Sequence, residues 1–118
     1  MRLLVNALLA AHLTALLATA AAPAPAADQL YGCRAIDGDT LRCGAERIRL
    51  RAIHAPELHE PGGAAARARL AALIASGEVR LVRHGRDRWG RTRADVWVGG
   101  RRITQADIGQ RGGLGLRR

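Results

Sequence analysis

From residue 31 onward, hydrophobic and polar positions alternate in short runs separated by turn-forming residues. Residues 31–36 and Thr40–Cys43 have the composition of two short strands flanking Asp37-Gly38-Asp39, a tripeptide suited to a tight turn. Folding that hairpin about Gly38 sets Cys33 opposite Cys43, at the cross-strand spacing a disulfide uses. Residues 46–53 alternate Ile48, Leu50 and, less cleanly, Ala52 with Arg47, Arg49 and Arg51. That pattern predicts a half-buried strand with arginines on its other face. Pro56 and Pro61-Gly62-Gly63 then interrupt it. Residues 64–76 predict a helix, with Ala66, Leu70, Leu73 and Ile74 on one face and Gly77 as its stop. Residues 79–82 and 94–98 read as two more strands, Gly99-Gly100 as a hairpin-like turn, and residues 103–108 as one or two helical turns. Three strands, a helix, two strands and a short second helix predict a mostly β, α+β fold. The expected form is a five-stranded OB-type barrel with its main helix after strand 3.

The N-terminal pattern differs. Met1-Arg2 precedes an apolar run over residues 3–17, broken only by Asn6, His12 and Thr14. Small-residue sites follow at Ala18-Thr19-Ala20 and Ala24-Pro25-Ala26. This is the order of a secretory signal peptide, with an apolar core short for a membrane span. The reading is a signal peptide and cleavage region over residues 1–27, a domain over 28–109, and a Gly/Arg-rich tail over 110–118. It predicts a secreted or periplasmic protein with no stable membrane insertion after cleavage; an uncleaved anchor is the alternative. Nothing in the sequence indicates an oligomer. In an oxidising compartment a Cys33–Cys43 disulfide is permitted, and two free buried thiols are the alternative.

Charge narrows the partner. The chain carries nineteen basic residues, all arginine, against ten acidic ones, for a net charge of +9. Without the leader the balance is 18 against 10, or +8. Guanidinium forks match phosphate oxygens, so the excess suits nucleic acid or an anionic membrane surface.

Three segments carry candidate chemistry: residues 36–40 (Ile-Asp-Gly-Asp-Thr), residues 49–57 (Arg-Leu-Arg-Ala-Ile-His-Ala-Pro-Glu) and residues 87–91 (Asp-Arg-Trp-Gly-Arg). In this order, with a predicted helix between the second and third, they resemble the site motifs of the staphylococcal nuclease (thermonuclease) family. The resemblance covers roughly residues 32–109. It implies an exported, metal-dependent endonuclease that hydrolyses phosphodiester bonds of DNA or RNA. Asp39 then takes the place of a calcium ligand, with Asp37 supporting it from further out; an Asx-turn is the other reading of Asp37. Glu57 matches the family glutamate that orients or deprotonates the attacking water. Arg49 and Arg91 match the two arginines that grip the scissile phosphate. Arg88 and Trp89 fall where a cation and an aromatic meet a nucleotide. The chemistry is coherent on its own terms: a hard cation neutralises a phosphoryl oxygen, and paired guanidiniums follow charge growing in the transition state. Trp97 is expected in the core, and Arg47, Arg51, Arg67 and Arg69 as solvated charges.

Two departures from the family pattern bear on function. His54 stands where the family has an aspartate ligand, and imidazole is a poor calcium ligand. Weak calcium binding through Asp39, Glu57 and water, a preference for manganese or zinc, or loss of the metal follow, unless His54 simply turns outward as a loop histidine. The C-terminus is short, with only Leu114 and Leu116 to bury beyond residue 109. A catalytically silent OB-type nucleic-acid-binding module, or a truncated family remnant, is therefore the alternative to a nuclease.

Overall fold

The alternating segments become seven strands in the computed structural model, which describes residues 27–109. Strands β1 (Asp28–Leu30), β2 (Cys33–Asp37), β3 (Thr40–Cys43) and β4 (Glu46–Leu50) precede helix α1 (Gly63–Ala75). Strands β5 (Val79–Arg86), β6 (Thr92–Val98) and β7 (Arg101–Arg102) then lead to the short helix α2 (Gln105–Ile108). The segment expected to be a signal peptide, Ala27 apart, and the 110–118 tail lie outside the described residues. Among the described residues no helix is long and apolar enough to cross a membrane.

The strand order is β1-β5-β6-β4-β3-β2, with β7 added on β6. All pairings are antiparallel except that of β4 with β6. Only Tyr31-Gly32 separates β1 from β2, and Gly32 has a φ of 62°. One bent strand thus supplies both ends of the strand order, and the sheet curls into the expected OB-type fold. Counted that way α1 does follow the third strand. The strand read over residues 31–36 is displaced, because Tyr31 and Gly32 make the bend.

The core is aliphatic. Leu41, Ile48, Leu50, Leu70, Leu81, Val96 and Ile108 are its most completely buried large side chains. Each contributes about 1.5–3 kcal/mol by leaving water. Helix α1 lays Ala66 and Leu70 against this core, with Leu73 and Ile74 partly buried beside it. Its small residues permit a close approach. A Cβ on Gly38 would lie 2.6 Å from the Ala55 Cβ and 2.7 Å from the Ala66 Cβ. Packing, rather than a positive φ, therefore demands glycine at the hairpin tip.

Several elements differ from the sequence reading. Strand β4 stops at Leu50, because Ala52 takes a left-handed φ of 64° and turns the chain. Strands β5 and β6 extend to Arg86 and back to Thr92, forming a ribbon whose β5 end is exposed on both faces and has no apolar alternation. Helix α1 is capped at its end by Ser76, whose backbone N–H and hydroxyl both donate to the Leu73 carbonyl. Gly77 instead allows close contact, since its Cβ would lie 3.1 Å from Gly99 Cα. The last helix starts at Gln105, behind an extended Thr104 whose backbone N–H donates to the Asp107 carboxylate at 2.8 Å. Trp97 is half-buried and lies on the outer face of β6, not in the core; Val96 and Val98 take the inward positions beside it. The Gly99-Gly100 turn joins β6 to β7 with positive φ at both residues, as a two-residue hairpin of this twist requires.

Candidate active site

The β2–β3 hairpin is held at one end by the Cys33–Cys43 disulfide, with Cα atoms 4.0 Å apart. Register follows the expected pairing from Cys33↔Cys43 to Ala35↔Leu41, then shifts by one so that Asp37 faces Thr40. The shift puts a bulge at Ile36 and leaves Gly38-Asp39 as the turn. Asp37 Oδ1 accepts the Asp39 backbone N–H at 3.1 Å, the Asx-turn contact. Burial, together with the hydrogen-bonded and repelling Asp39 carboxylate, pushes the Asp37 carboxyl up to about 6.

Asp39 is the junction of the site. Its Oδ1 accepts the Thr40 hydroxyl at 3.0 Å, and its Oδ2 accepts the Ala55 backbone N–H at 3.1 Å. Arg49 Nη2 stands 3.4 Å from Oδ2 in a pair with side-chain exposures of 20% and 14%. Arg49 arrives there because β3 and β4 register Thr40 with Arg49, while Leu41 and Ile48 point together into the core. Its Nη1 also donates to the Leu50 carbonyl.

Arg91 reaches the same place from the β5–β6 ribbon. Asp87 shapes that turn: its Oδ1 accepts the backbone N–H of Trp89 at 3.0 Å and of Arg91 at 2.9 Å. Its Oδ2 accepts Arg91 Nε at 2.7 Å, leaving the far end of the guanidinium to point onward. Burial alone would raise the Asp87 carboxyl, yet these bonds to Arg91 and Trp89 hold it below the usual carboxylate range. Arg91 Nη1 lies 3.5 Å from the Thr40 hydroxyl. Trp89 is 57% exposed, with the Arg88 guanidinium 4.4 Å and the Arg91 guanidinium 5.3 Å from its ring centre. Arg47, expected to be a solvated charge, donates to the Trp89 carbonyl at 2.6 Å and ties this turn to β4.

The third segment is a loop carrying His54 and Glu57. Gln105 clamps His54 by its main chain, accepting its N–H at 2.8 Å and donating to its carbonyl at 3.0 Å. The His54 and Glu57 residues are both exposed. The Glu57 backbone N–H donates to Glu60 Oε1 at 2.6 Å, and a Cβ on Gly63 would lie 1.9 Å from the Glu57 carbonyl oxygen. Glycine at the start of α1 thus lets the Glu57 turn sit directly on the helix end. The structure joins Asp37, Asp39, Arg49 and Arg91 through Thr40 and direct contacts. Among the described residues, Glu57 is linked to them only through the chain that follows Ala55.

The remaining donors limit what cation fits. Asp37 and Asp39 give two crowded carboxylates, a donor set suited to a hard, largely water-ligated ion. Among the described residues no three His, Cys, Asp or Glu side chains come together as a metal cluster. A cation here would draw on Asp39 and Asp37 plus water. Reading the sequence alone misses Thr40, Asp87 and Gln105. Thr40 and Asp87 lie inside the recognised motifs, whereas Gln105 has no local signal because its partner is 51 positions away.

Arg51 and Arg69 are exposed, as expected of solvated charges, and each also makes a contact. Arg51 makes two contacts to Asp95, at 3.3 and 3.2 Å. Arg69 donates to the Ile108 carbonyl at 3.2 Å, closing the end of α2. Arg67 is exposed as expected.

The family model described as "staphylococcal nuclease homologue" matches residues 47–112. That span includes the second and third motif segments and begins after the Asp37–Asp39 turn. An uncharacterized endonuclease of Haemophilus influenzae is 38% identical over 73 residues, covering 55% of this chain and 41% of that protein. The chain therefore spans under half the length of this curated relative. With the family match covering more than half of its residues, on a curled OB-type sheet, the chain belongs to the staphylococcal nuclease homologue family.

Proposed function

We propose that this protein is an exported, divalent-metal-dependent nuclease that hydrolyses phosphodiester bonds of DNA or RNA. The observation that carries the proposal is the convergence of Arg49, from β4, and Arg91, from the β5–β6 turn, on Asp39 and its hydrogen-bond partner Thr40. Two guanidiniums so placed bracket one anion. They bind the transition state better than the diester, because negative charge grows on the equatorial phosphoryl oxygens. The name of the Haemophilus relative agrees with this reading.

In the proposed reaction Glu57 accepts a proton from a water, whose oxygen forms a bond to phosphorus as the bond to the leaving sugar oxygen breaks. The abstracted proton returns through solvent to that leaving oxygen, so one water is consumed per cleavage. Asp39, with Asp37 behind it, would hold the divalent ion. When bound, that ion supplies positive charge beside a phosphoryl oxygen. Calcium is the family expectation, and manganese or zinc is the alternative raised by His54 at the family ligand position. Trp89 offers a stacking face for a nucleotide, and Arg88 a cation for a neighbouring phosphate. Asp87 acts through Arg91, as a positioning residue.

A silent binding module is the second reading. It is favoured by the absence of a third metal-binding side chain beside Asp37 and Asp39 among the described residues. Cleavage of single-stranded DNA and RNA with calcium, manganese, zinc or chelator, beside Glu57→Gln, decides between them. Metal-dependent cleavage, reduced about 10²–10⁴-fold in Glu57→Gln, supports the nuclease. Salt-sensitive binding by a folded domain with no cleavage in any ion supports the module. Export is tested separately by fractionating expressing cells and determining the N-terminus of the recovered protein.

A further inference from the structure

The outer face of the β2–β3–β4 hairpins carries a row of arginines that the proposed chemistry does not use. Arg34 on β2 pairs in register with Arg42 on β3, and Arg42 pairs with Arg47 on β4. Like charges directly opposite one another destabilise a sheet. Here three stand side by side, and among the described residues none of them forms an ion pair with a carboxylate. Among those residues Arg42 bonds to the Gly44 carbonyl, and Arg47 to the Trp89 carbonyl.

Shortage of acid is not the reason. Elsewhere on the molecule Arg51 and Arg102 meet Asp95, Arg80 meets Glu78, and Arg83 meets both Glu46 and Asp28. The row is also directional. It starts on β2 at one end of the strand order and ends at Arg47, whose guanidinium touches the turn that presents Trp89 and Arg91. At the usual strand spacing it extends about 10 Å beyond that turn, room for more than one phosphate.

We infer that Arg34, Arg42 and Arg47 form a strip that tracks the phosphate backbone of a single-stranded nucleic acid leading away from the Arg49–Arg91 site. The direction of the strand rests on the nuclease reading; the binding itself does not. A diester chain supplies negative charges in series, which one small anion cannot do, and the repulsion built into the row is relieved when they arrive. Flanking Trp89 lets a base stack while the backbone follows the arginines. Strand faces of OB-type barrels accommodate oligonucleotides in this manner.

The test is the salt dependence of binding of the full chain to a fluorescent single-stranded oligothymidylate, measured in chelator so that no cleavage intervenes. Arg34→Ala with Arg42→Ala should lower the slope of log K against log salt by about 1.4, two phosphate contacts at about 0.7 each. Arg34→Lys with Arg42→Lys should retain most of the slope. Arg80→Ala, which removes an acid-paired arginine, should leave it unchanged. The double alanine variant should melt no lower than the parent, which separates lost binding from lost folding. An unchanged slope in a folded double variant overturns the strip. So does loss of binding to phosphatidylserine vesicles with no change in the oligonucleotide slope, which would make the face a membrane surface. Cleavage by the parent is scored separately: a reduced slope without cleavage keeps the strip and removes the nuclease, and cleavage with an unchanged slope does the reverse.

Discussion

The outer surface of the β4–β6–β5 region and that of the β2–β3–β4 region are both arginine-rich, yet their charges are managed in opposite ways. In the first, Asp95 on β6 is buried beneath Arg51, His84 and Arg102, at 2.9–3.2 Å. Burial alone would raise its carboxyl, but hydrogen bonds from Arg51 and His84 and the Arg102 charge hold it below the usual range. Nearby, Glu46 is lowered to about 2, chiefly by the Arg83 hydrogen bond and further by the Thr92 hydroxyl. In the second region Arg34, Arg42 and Arg47 face one another with no carboxylate between them. The acids near that hairpin, Asp37 and Asp39, sit at its tip and are crowded together rather than dispersed among the arginines. Composition alone treats every arginine in this chain alike. Pairing divides them into charges that hold the fold and charges left for a ligand.

The largest effect should come from removing the acid at the centre of the paired region. Asp95→Ala leaves Arg51, Arg102 and the His84 ring without their shared acceptor and should cost about 3 kcal/mol. The melting midpoint would fall by on the order of 10 °C or more in a domain of this size. A change no greater than that of an ordinary surface substitution would mean the cluster is solvated, and the contrast between regions would be lost.

Next is the staple of the unpaired region. Cys33→Ser with Cys43→Ser removes a short ring that stabilises by about 2–3 kcal/mol in the chain-entropy treatment. The loss should appear in denaturant midpoints, and reductant added to the parent should reproduce it. A parent that unfolds identically with and without reductant would show that the hairpin holds its charges without the disulfide.

Acid titration separates the regions further. Glu46 is ionised in the fold down to about pH 2 but carries an ordinary carboxyl, near 4.5, when unfolded. Its contribution is therefore fully present above about pH 4.5 and is lost as pH falls toward 2. Because the pair with Arg83 is partly solvated, it is worth on the order of 1 kcal/mol. Glu46→Gln should flatten the stability profile over that window while leaving stability above pH 5 reduced by a similar amount. A profile of unchanged shape would contradict the pairing.

The smallest effect has the opposite sign. Replacing Arg42 by Thr removes a like-charge contact on both sides and should stabilise the fold by a few tenths of a kcal/mol. The gain should shrink as salt screens the repulsion. Destabilisation at low salt would show that Arg42 is structurally needed, and the row would then be part of the fold rather than a reserve for ligand.

The chain itself determined a good deal of this. Alternation in Glu46–Leu50 placed Ile48 and Leu50 inside and Arg47 and Arg49 outside, because a pleated strand has a period of two. Symmetric folding about Gly38 brought Cys33 to Cys43, because local register is set by the turn. The order of the three motif segments pointed to the family, and the Gly99-Gly100 pair marked where β6 reverses into β7. What the chain could not determine is which arginine meets which acid. Arg51 meets Asp95 across 44 positions and Gln105 holds His54 across 51, and such contacts exist only after the sheet has curled. Trp97 was misplaced for the same reason: an aromatic residue reads as core until the parity of its strand is fixed by the neighbours it pairs with. The far end of β5 has no apolar rhythm, since neither of its faces is buried, so only pairing reveals it. Period-two patterning and turn chemistry are properties of neighbouring residues, and sequence records them directly. The ion pair of Asp95 with Arg51 and the close packing of Ala66 and Ile108 on Gly38 depend on distances between segments far apart in the chain. Those distances were decided only when the barrel brought them together.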